Sequence, residues 1–425
     1  MNQMNSFLKS VVAVITGSAA AQLIQLIASP VVARLYGPEA FGEASTIIAI
    51  LGVLLPLATL GYSTLVVVAK SGDAAVAAYH LVRRVAWWFT GLLVVAIAVV
   101  WAMAPMSFGP LGGIWVAILL PIIVPIAAYR EVALAALSRE RRYRDVARFS
   151  VTNAFVTATL RILGGAVVPT STMLLVAYAG GLLIQTSTNL SKTRVLAAVL
   201  NHGAKERPSA SAAWTFAKKN KSYALSRAPQ VFVNAASQAM PIIAASSVLG
   251  PSDAGIIAMA KTVVSAPVSL IASAVNTVAI SEFSRTLRDG GRVIALYFRS
   301  TAIMAMIGLI PASLLFLFGR ELFGLVFGAS WAQSGEVAKW LSIVAAAQFA
   351  SRPSTAVIQA FELHKWQFGH EVVFLIARAA AVLVGASTGG LIGLAIWYSV
   401  VAASSYLVLI AKAAGTVMTQ ADGTE

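Results

Sequence analysis

Residues 36–42 read YGPEAFG, and residues 249–255 read LGPSDAG. Each copy follows an apolar run that contains a proline, Pro30 in the first copy and Pro241 in the second. In both copies the Gly-Pro pair can end one helix, and the acidic side chain that follows can cap the next. The copies lie half a chain apart, so they predict an internal duplication.

Apolar residues dominate the chain. Of its 425 residues, 59% are hydrophobic and 11% are charged, against roughly 45–50% and 25% in soluble domains. This composition argues against a water-soluble fold. A helix needs about 20 apolar residues to cross a hydrocarbon core of about 30 Å, and runs of that order occur twelve times. The expected spans are about 11–33, 43–69, 85–104, 114–137, 149–168, 172–190, 224–248, 256–280, 300–318, 337–360, 372–388 and 391–411.

Twelve spans in two equal halves predict an all-α integral membrane protein built from two six-helix bundles. Six spans return the chain to the side on which it began, so the two halves form a parallel repeat. The expected N-terminal lobe is 1–190, the cytoplasmic linker 191–220 and the C-terminal lobe 221–425. The fifth and sixth spans, and the eleventh and twelfth, are separated so briefly that each pair is either a tight hairpin or a misplaced boundary.

The net charge of +15 comes from 31 Lys and Arg against 16 Asp and Glu. Most of the positive residues fall in loops on one side of the spans, and cytoplasmic loops carry such an excess. We therefore expect both termini in the cytoplasm and no nucleic-acid partner. The positively charged cytoplasmic loops can also attract anionic membrane lipids. Tryptophans are expected in two interfacial belts, with Trp101, Trp115, Trp331 and Trp340 on the far side and Trp87, Trp88 and Trp366 on the cytoplasmic side.

Six ionisable residues lie inside the predicted spans and away from their ends: Arg130, Arg161, Lys261, Arg352, Arg378 and Glu131. Each charge in a span costs about 2.5–3.5 kcal/mol on insertion scales. One acid cannot neutralise five cations, so the excess favours a water-filled cavity with an anionic ligand, and guanidinium groups match phosphate oxygens. Arg130 and Arg352 occupy similar places in the fourth and tenth spans. The alternative is structural, with internal pairing or snorkelling to headgroups.

Motifs for catalysis are missing from the sequence. It contains no cysteine, which removes disulfides, iron–sulfur clusters and Cys-ligated zinc. No phosphate-binding loop, HExxH motif or Ser-His-acid arrangement is present, so we expect no enzyme, metal or cofactor. The four histidines, His80, His202, His364 and His370, are expected in solvent. A signal peptide after Lys9 is a weaker interpretation, because the apolar run continues to Ala33.

Residues 29–42, SPVVARLYGPEAFG, resemble the "SPxxxRLYxPExFG" segment of Wzx-type polysaccharide and O-antigen flippases. These belong to the multidrug/oligosaccharidyl-lipid/polysaccharide (MOP) exporter superfamily. The resemblance implies a MATE-like fold in the bacterial inner membrane. It implies flipping of an undecaprenyl-pyrophosphate-linked oligosaccharide to the periplasmic leaflet by alternating access, in lipopolysaccharide or related biosynthesis. Polysaccharide polymerase and assembly proteins are the implied partners.

The sequence thus predicts a lipid-linked oligosaccharide flippase whose five cations hold the headgroup phosphates. Because intramembrane acids are sparse, Glu131 is the candidate for energy coupling. A cation-coupled multidrug exporter of the same superfamily is an alternative, which an acidic cavity would favour. A membrane glycosyltransferase or polymerase is an alternative from a different class.

Overall fold

The computed structural model describes residues 2–69, 71–103, 114–191, 216–268 and 293–422. These residues are helical almost throughout, and no strand occurs among them. The helices are α1 (Asn2–Thr59), α2 (Ser63–Val68), α3 (Gly72–Met103), α4 (Ile114–Arg139), α5 (Tyr143–Val167), α6 (Ser171–Ser191), α7 (Lys221–Val248), α8 (251–268), α9 (Val293–Phe327), α10 (Ala332–Ala350), α11 (Arg352–Ala360) and α12 (His364–Asp422). A single turn at 216–219 and a 3₁₀ turn, Ala329–Trp331, complete them.

The predicted spans lie on these helices. Helix α1 contains the first predicted span and most of the second, and α12 contains the last two. Each of these helices is long enough for two spans and is interrupted at glycine between them, at Gly37 (φ 67°) in α1 and at Gly389–Gly390 in α12. Six described helices are long and apolar enough to cross a membrane by length and composition, and the two longest contain these interruptions. The all-α prediction is confirmed, while the eighth span beyond residue 268 lies outside the described residues.

Both doubtful span pairs are hairpins. Helices α5 and α6 are joined by three residues, and a Cβ on Gly164 would lie 2.5 Å from Cγ of Met173. The two arms of α12 approach equally closely, since a Cβ on Gly385 would lie 2.5 Å from the carbonyl oxygen of Gly393. Glycine is required at Gly385 because the two backbones themselves are in contact, whereas Gly164 makes room for the Met173 side chain.

The chain divides into two compact units. The first contains Met1–Tyr36 and Glu43–Ala239, and the second contains Gly37–Gly42 and Met240–Glu425. A six-residue segment from the first half of the sequence therefore packs in the second unit. The predicted linker, 191–220, falls mostly outside the described residues, so the predicted lobe boundaries stay predictions.

Within the second unit the two copies of the repeated segment contact each other reciprocally. A Cβ on Gly42 would overlap the carbonyl oxygen of Pro251, and a Cβ on Gly255 would overlap that of Pro38. Gly42 and Gly255 are equivalent in the duplication, as are Pro38 and Pro251. Contacts that repeat with the partners exchanged are the mark of a local two-fold relation.

Phe41, beside this contact, packs edge-on against Trp331 with ring centroids 5.6 Å apart. Trp331 is fully buried, so its predicted place in an interfacial belt is wrong. The reason is that the duplicated segment supplies an aromatic partner in the interior of the unit. Trp87, Trp88 and Trp101 are more than half exposed, as residues at an interface would be.

The fourth and tenth spans end in the same Schellman motif. Arg141 (φ 55°) and Glu362 (φ 54°) adopt the left-handed conformation that this cap uses. The backbone N–H of Arg142 donates to the carbonyl of Leu137 at 2.9 Å, and that of Leu363 donates to the carbonyl of Ile358 at 3.0 Å. The repeated cap fixes the register of the duplication in this region at 221 residues.

The reciprocal contact makes a prediction about stability. Gly42→Ala or Gly255→Ala should lower the unfolding free energy by about 1–3 kcal/mol, because the added methyl group would overlap a backbone carbonyl. Gly52→Ala is the matched control in the same helix, since a Cβ there meets nothing within 4 Å. Thermal unfolding of the purified proteins in detergent measures the difference. Equal melting temperatures for Gly42→Ala and Gly52→Ala would contradict the close approach.

Candidate functional site

Glu131 of α4 is held by hydroxyl groups. It accepts a short hydrogen bond from Ser63 and interacts with the side chain of Thr59. Both hydroxyl residues are almost fully buried. Between them, Leu60 (φ 46°) and Gly61 (φ 68°) adopt left-handed conformations that separate α1 from α2. This interruption of the second span brings both hydroxyls to the carboxylate.

Arg130 precedes Glu131 and points to a different partner. Its Nε donates a hydrogen bond of 2.5 Å to Oε1 of Gln185 in α6. Gln185 is 2% exposed, and its own Nε2 is buried without a hydrogen-bond partner. Arg130 therefore donates a charge-assisted hydrogen bond to a neutral amide in the interior of the first unit, and its charge is not cancelled by an ion pair with Glu131.

Arg161 of α5 lies in the same part of the first unit. The Tyr36 hydroxyl donates to the Arg161 backbone carbonyl at 2.8 Å. The Nε of Arg161 is buried and has no hydrogen-bond partner. Tyr178 of α6 interacts electrostatically with both Arg130 and Arg161. We call Arg130, Arg161 and Tyr178 the first arginine cluster.

A second group of cations lies in the second unit. Arg352 is the first residue of α11, and its Nε is buried without a hydrogen-bond partner. Arg378 of α12 donates from Nη2 to the Ser405 hydroxyl at 2.7 Å. Tyr406 interacts electrostatically with both arginines, and Lys261 of α8 interacts with Arg378. We call Arg352, Arg378 and Tyr406 the second arginine cluster.

The two clusters have the same construction. Each takes one arginine from the fourth span of its half, one from the fifth and a tyrosine from the sixth. The equivalence of Arg130 and Arg352 is approximate, because the offset of 221 set by the Schellman motif puts Arg352 in register with Glu131. Helix α4 is continuous at Arg130, whereas Ser351 separates α10 from α11 immediately before Arg352.

The structure brings Arg130 and Arg161 together in one unit, and Arg352, Arg378 and Lys261 together in the other. Within the described residues, the ion pairs that the structure shows involve other cations. Arg142 pairs with Glu140 and Asp145, and Arg320 pairs with Glu336. Arg130, Arg161 and Arg352 form no ion pair with a carboxylate in that part of the chain, although Arg130 interacts electrostatically with Glu131. Their charge is thus available to an anion.

Sequence reasoning missed several residues of these clusters. Tyr178, Gln185 and Tyr406 are neutral, so a search for intramembrane charge passes over them. Glu371 was also missed. The eleventh span was predicted to start at residue 372, immediately after Glu371, whereas α12 begins at His364. Glu371 interacts electrostatically with Tyr406.

Two histidines correct a sequence expectation. His370 is not in solvent: it lies between Trp366 and Phe374, with ring centroids 5.1 and 4.7 Å away, and its Nε2 is 3.1 Å from the carbonyl of Ser405. His80 is also buried. In both cases a neighbouring aromatic ring on the same helix covers the imidazole. No group of three or more His, Cys, Asp or Glu residues that could hold a metal occurs among the described residues.

A family model described as "Polysaccharide biosynthesis protein" matches residues 31–336, more than half of the chain. The chain belongs to this family. A search of curated proteins finds no significant match.

Solved structures resemble the chain over nearly its whole length. An inward-facing multidrug resistance MATE family transporter of the MOP superfamily gives a TM-score of 0.74 at 12% identity, covering 95% of this chain and 96% of that one. The lipid II flippase MurJ, in an inward closed conformation, gives 0.65 at 12% identity and covers 94% and 87%. A MOP transporter from Pyrococcus furiosus gives 0.58 at 14% identity and covers 96% of each chain.

The chain thus belongs to the polysaccharide biosynthesis family and has the fold of these MOP-superfamily transporters, with six described helices long and apolar enough to cross a membrane. The predicted fold class and the predicted family are confirmed. The five predicted binding residues are not tested by these likenesses, because identities of 12–14% carry the fold alone.

The Arg130–Gln185 bond gives a prediction. Gln185→Leu should lower the unfolding free energy by about 1.5–3 kcal/mol, the usual contribution of a hydrogen bond to a charged group. Arg130→Met in the Gln185→Leu background should cost less than in the wild type, since the bond is already lost. Thermal unfolding in detergent measures both, with Ser187→Ala as control because Ser187 is exposed and bonds within its own helix. Additive effects would contradict the coupling.

Proposed function

We propose that this protein is a lipid-linked oligosaccharide flippase. It moves an undecaprenyl-pyrophosphate-linked glycan from the cytoplasmic to the periplasmic leaflet of the bacterial inner membrane by alternating access. The observation that carries the proposal is the pair of arginine clusters, one in each unit. Within the described residues, the guanidinium groups of Arg130, Arg161 and Arg352 form no ion pair with a carboxylate.

Guanidinium chemistry favours phosphate as the ligand. The planar fork of arginine can donate two parallel hydrogen bonds to phosphate oxygens, and such charge-assisted bonds are about twice as strong as neutral ones. A pyrophosphate offers several acceptor oxygens and therefore suits arginines from more than one helix. The buried Nε atoms of Arg161 and Arg352 supply donors that no protein acceptor uses. We infer that Lys261 and Arg378 complete the binding set.

The two-cluster arrangement supports alternating access. A ligand shifts a conformational equilibrium only through its different affinity for the two states. A headgroup that a cluster binds more tightly in one state would therefore shift the equilibrium towards that state. The polyprenyl chain would stay in the bilayer, because burying an apolar chain among arginines would leave their charges without water or phosphate.

The comparisons support this substrate class over a cationic drug. The description of the family is "Polysaccharide biosynthesis protein", and MurJ is described as a lipid II flippase. The MATE neighbours are described as multidrug transporters, but a cavity for cationic drugs should be acidic, and both clusters here are basic. The excess of Lys and Arg on one side supports cytoplasmic termini. Polysaccharide polymerase and assembly proteins are the proposed partners, and we propose no enzymatic activity.

Glu131 is the proposed coupling residue. Its carboxylate is held by the hydroxyls of Ser63 and Thr59 and not by an ion pair with Arg130. A carboxylate in this setting can gain or lose a proton without breaking a salt bridge. Protonation would also turn it from an acceptor into a donor, which requires the hydroxyls to reorient.

Substitution of a cluster arginine is expected to reduce transport without reducing the stability of the protein. Arg161→Gln should reduce transport by about 10- to 100-fold, the loss expected when one charge-assisted bond to phosphate is removed. The same change should leave the melting temperature unchanged or raise it, because a buried charge without an acidic partner costs stability. Surface polysaccharide in a complementation assay measures function, and thermal unfolding measures stability. Arg130→Gln and Arg352→Gln should also lose function.

Arg142→Gln is the control for these variants, since Arg142 already forms an ion pair of 2.6 Å with Asp145 and belongs to neither cluster. It should keep transport. Wild-type polysaccharide from all three cluster variants, at normal protein levels, would refute the proposed role of the arginines.

Glu131→Gln tests coupling separately. In liposomes with an imposed proton gradient, this variant should lose the part of transport that depends on the gradient and keep substrate binding, since glutamine preserves the hydrogen-bond acceptor but cannot titrate. Glu321→Gln is the control, because Glu321 is exposed on α9. Gradient-driven transport at the wild-type rate in Glu131→Gln would exclude Glu131 as the coupling group.

A further inference from the structure

A groove of about 1000 Å³ lies on the outer face of α3 in the first unit. Its α3 residues recur at helical spacing along one face of the helix: His80, Arg83, Arg84, Trp87, Trp88, Gly91, Leu92 and Val95. Tyr129 of α4 forms the remaining wall. The volume is at the upper end of the range of about 300–1000 Å³ that is usual for small-molecule sites.

The chemistry of the groove changes in order along the helix. The two arginines come first, at the end of α3 that is predicted to face the cytoplasm. Trp87 and Trp88 follow, 56% and 77% exposed, and Leu92 and Val95 come last, 66% and 59% exposed. A membrane presents the same order, with charged headgroups, an interfacial layer and then hydrocarbon.

The dimensions also match one leaflet. Arg83 and Val95 are twelve residues apart, which at 1.5 Å per residue is about 18 Å along the helix axis. One leaflet is half of a hydrocarbon core of about 30 Å, so its acyl region is roughly 15 Å deep. A phosphate at the arginines would therefore leave its acyl chain alongside Leu92 and Val95.

The groove is structured by hydrogen bonding and packing. Nε1 of Trp87 donates to the Tyr129 hydroxyl at 3.0 Å, and the Tyr129 ring lies 6.5 Å from that of Tyr79. These contacts fix the indole between α3 and α4. In the described part of the chain, Arg83 makes no hydrogen bond or ion pair and is half-buried at the edge of the groove. Its donors are open to a ligand.

We propose that this groove is a binding site for an anionic glycerophospholipid of the cytoplasmic leaflet. Arg83 and Arg84 bind the headgroup phosphate, the two tryptophans line the glycerol region, and the apolar stripe takes an acyl chain. The site differs from the proposed cargo site, because its lining includes no member of either arginine cluster and its tryptophans and apolar stripe are exposed. It does not depend on the identity of the cargo.

Native mass spectrometry of the delipidated full-length protein tests this proposal. Phosphatidylglycerol should bind more tightly than phosphatidylcholine, with at least one high-affinity lipid retained. Arg83→Gln/Arg84→Gln should weaken that lipid by about thirtyfold, given about 1 kcal/mol per basic residue near anionic lipid. Arg144→Gln/Arg299→Gln is the matched control, since it removes the same charge from two exposed arginines on the predicted cytoplasmic side. It should keep the wild-type affinity.

Further arms identify the ligand. If the double variant does not fold, as judged by thermal unfolding, Arg83→Gln alone should show a loss of about fivefold. Trp88→Ala should also weaken binding, because that side chain packs against the lipid in the proposal. Equal binding of phosphatidylglycerol and phosphatidylcholine to the wild type would overturn the proposal, as would an equal loss in the control variant. Displacement of the retained lipid by inorganic phosphate alone, or preferentially by polyprenyl phosphate, would assign the site to another ligand and also overturn it.

Discussion

Arginine side chains placed inside membrane spans without carboxylate partners are the constraint on which the rest of this molecule depends. Burying such a charge is expensive unless water or a ligand compensates it. Arg161 and Arg352 each keep a buried Nε without an acceptor, and Arg130 has only a neutral amide. The helices around them supply tyrosine and glutamine side chains, and none of these three arginines forms an ion pair within the described residues. The fold therefore preserves positive potential that an internal salt bridge would have removed.

Duplication explains how one chain comes to hold two such clusters. Arginine, arginine and tyrosine recur on the fourth, fifth and sixth spans of each half, and the fourth spans close with the same cap. The halves have nevertheless diverged where chemistry differs. Glu131 is in register with Arg352, so the acid of the first half is replaced by a base in the second.

Apolar run length made the all-α architecture predictable, and the Gly-Pro repeat made the duplication predictable. Side-chain partners were not, because Gln185, Tyr178 and Tyr406 carry no charge that a sequence pattern could single out. Glu371 was missed by one residue, since hydropathy locates a helix end poorly when polar residues occupy the first turns. The prediction for Trp331 was wrong because a tryptophan near the end of a span can lie either at the membrane interface or in the protein interior, and the sequence does not distinguish the two. The repeated segment could be recognised in the sequence, but the contact between its copies is a property of the folded backbone.

That contact has a consequence for how the protein is made. The segment Gly37–Gly42 packs in the unit that otherwise starts at Met240, so the later unit is completed by a piece synthesised long before it. Translation from the N-terminus delivers this insert to the bilayer ahead of the helices that surround it. A fragment restricted to the second half would be missing an interior part, including the ring that covers Trp331. The two halves are therefore repeats in sequence but not independent folding modules.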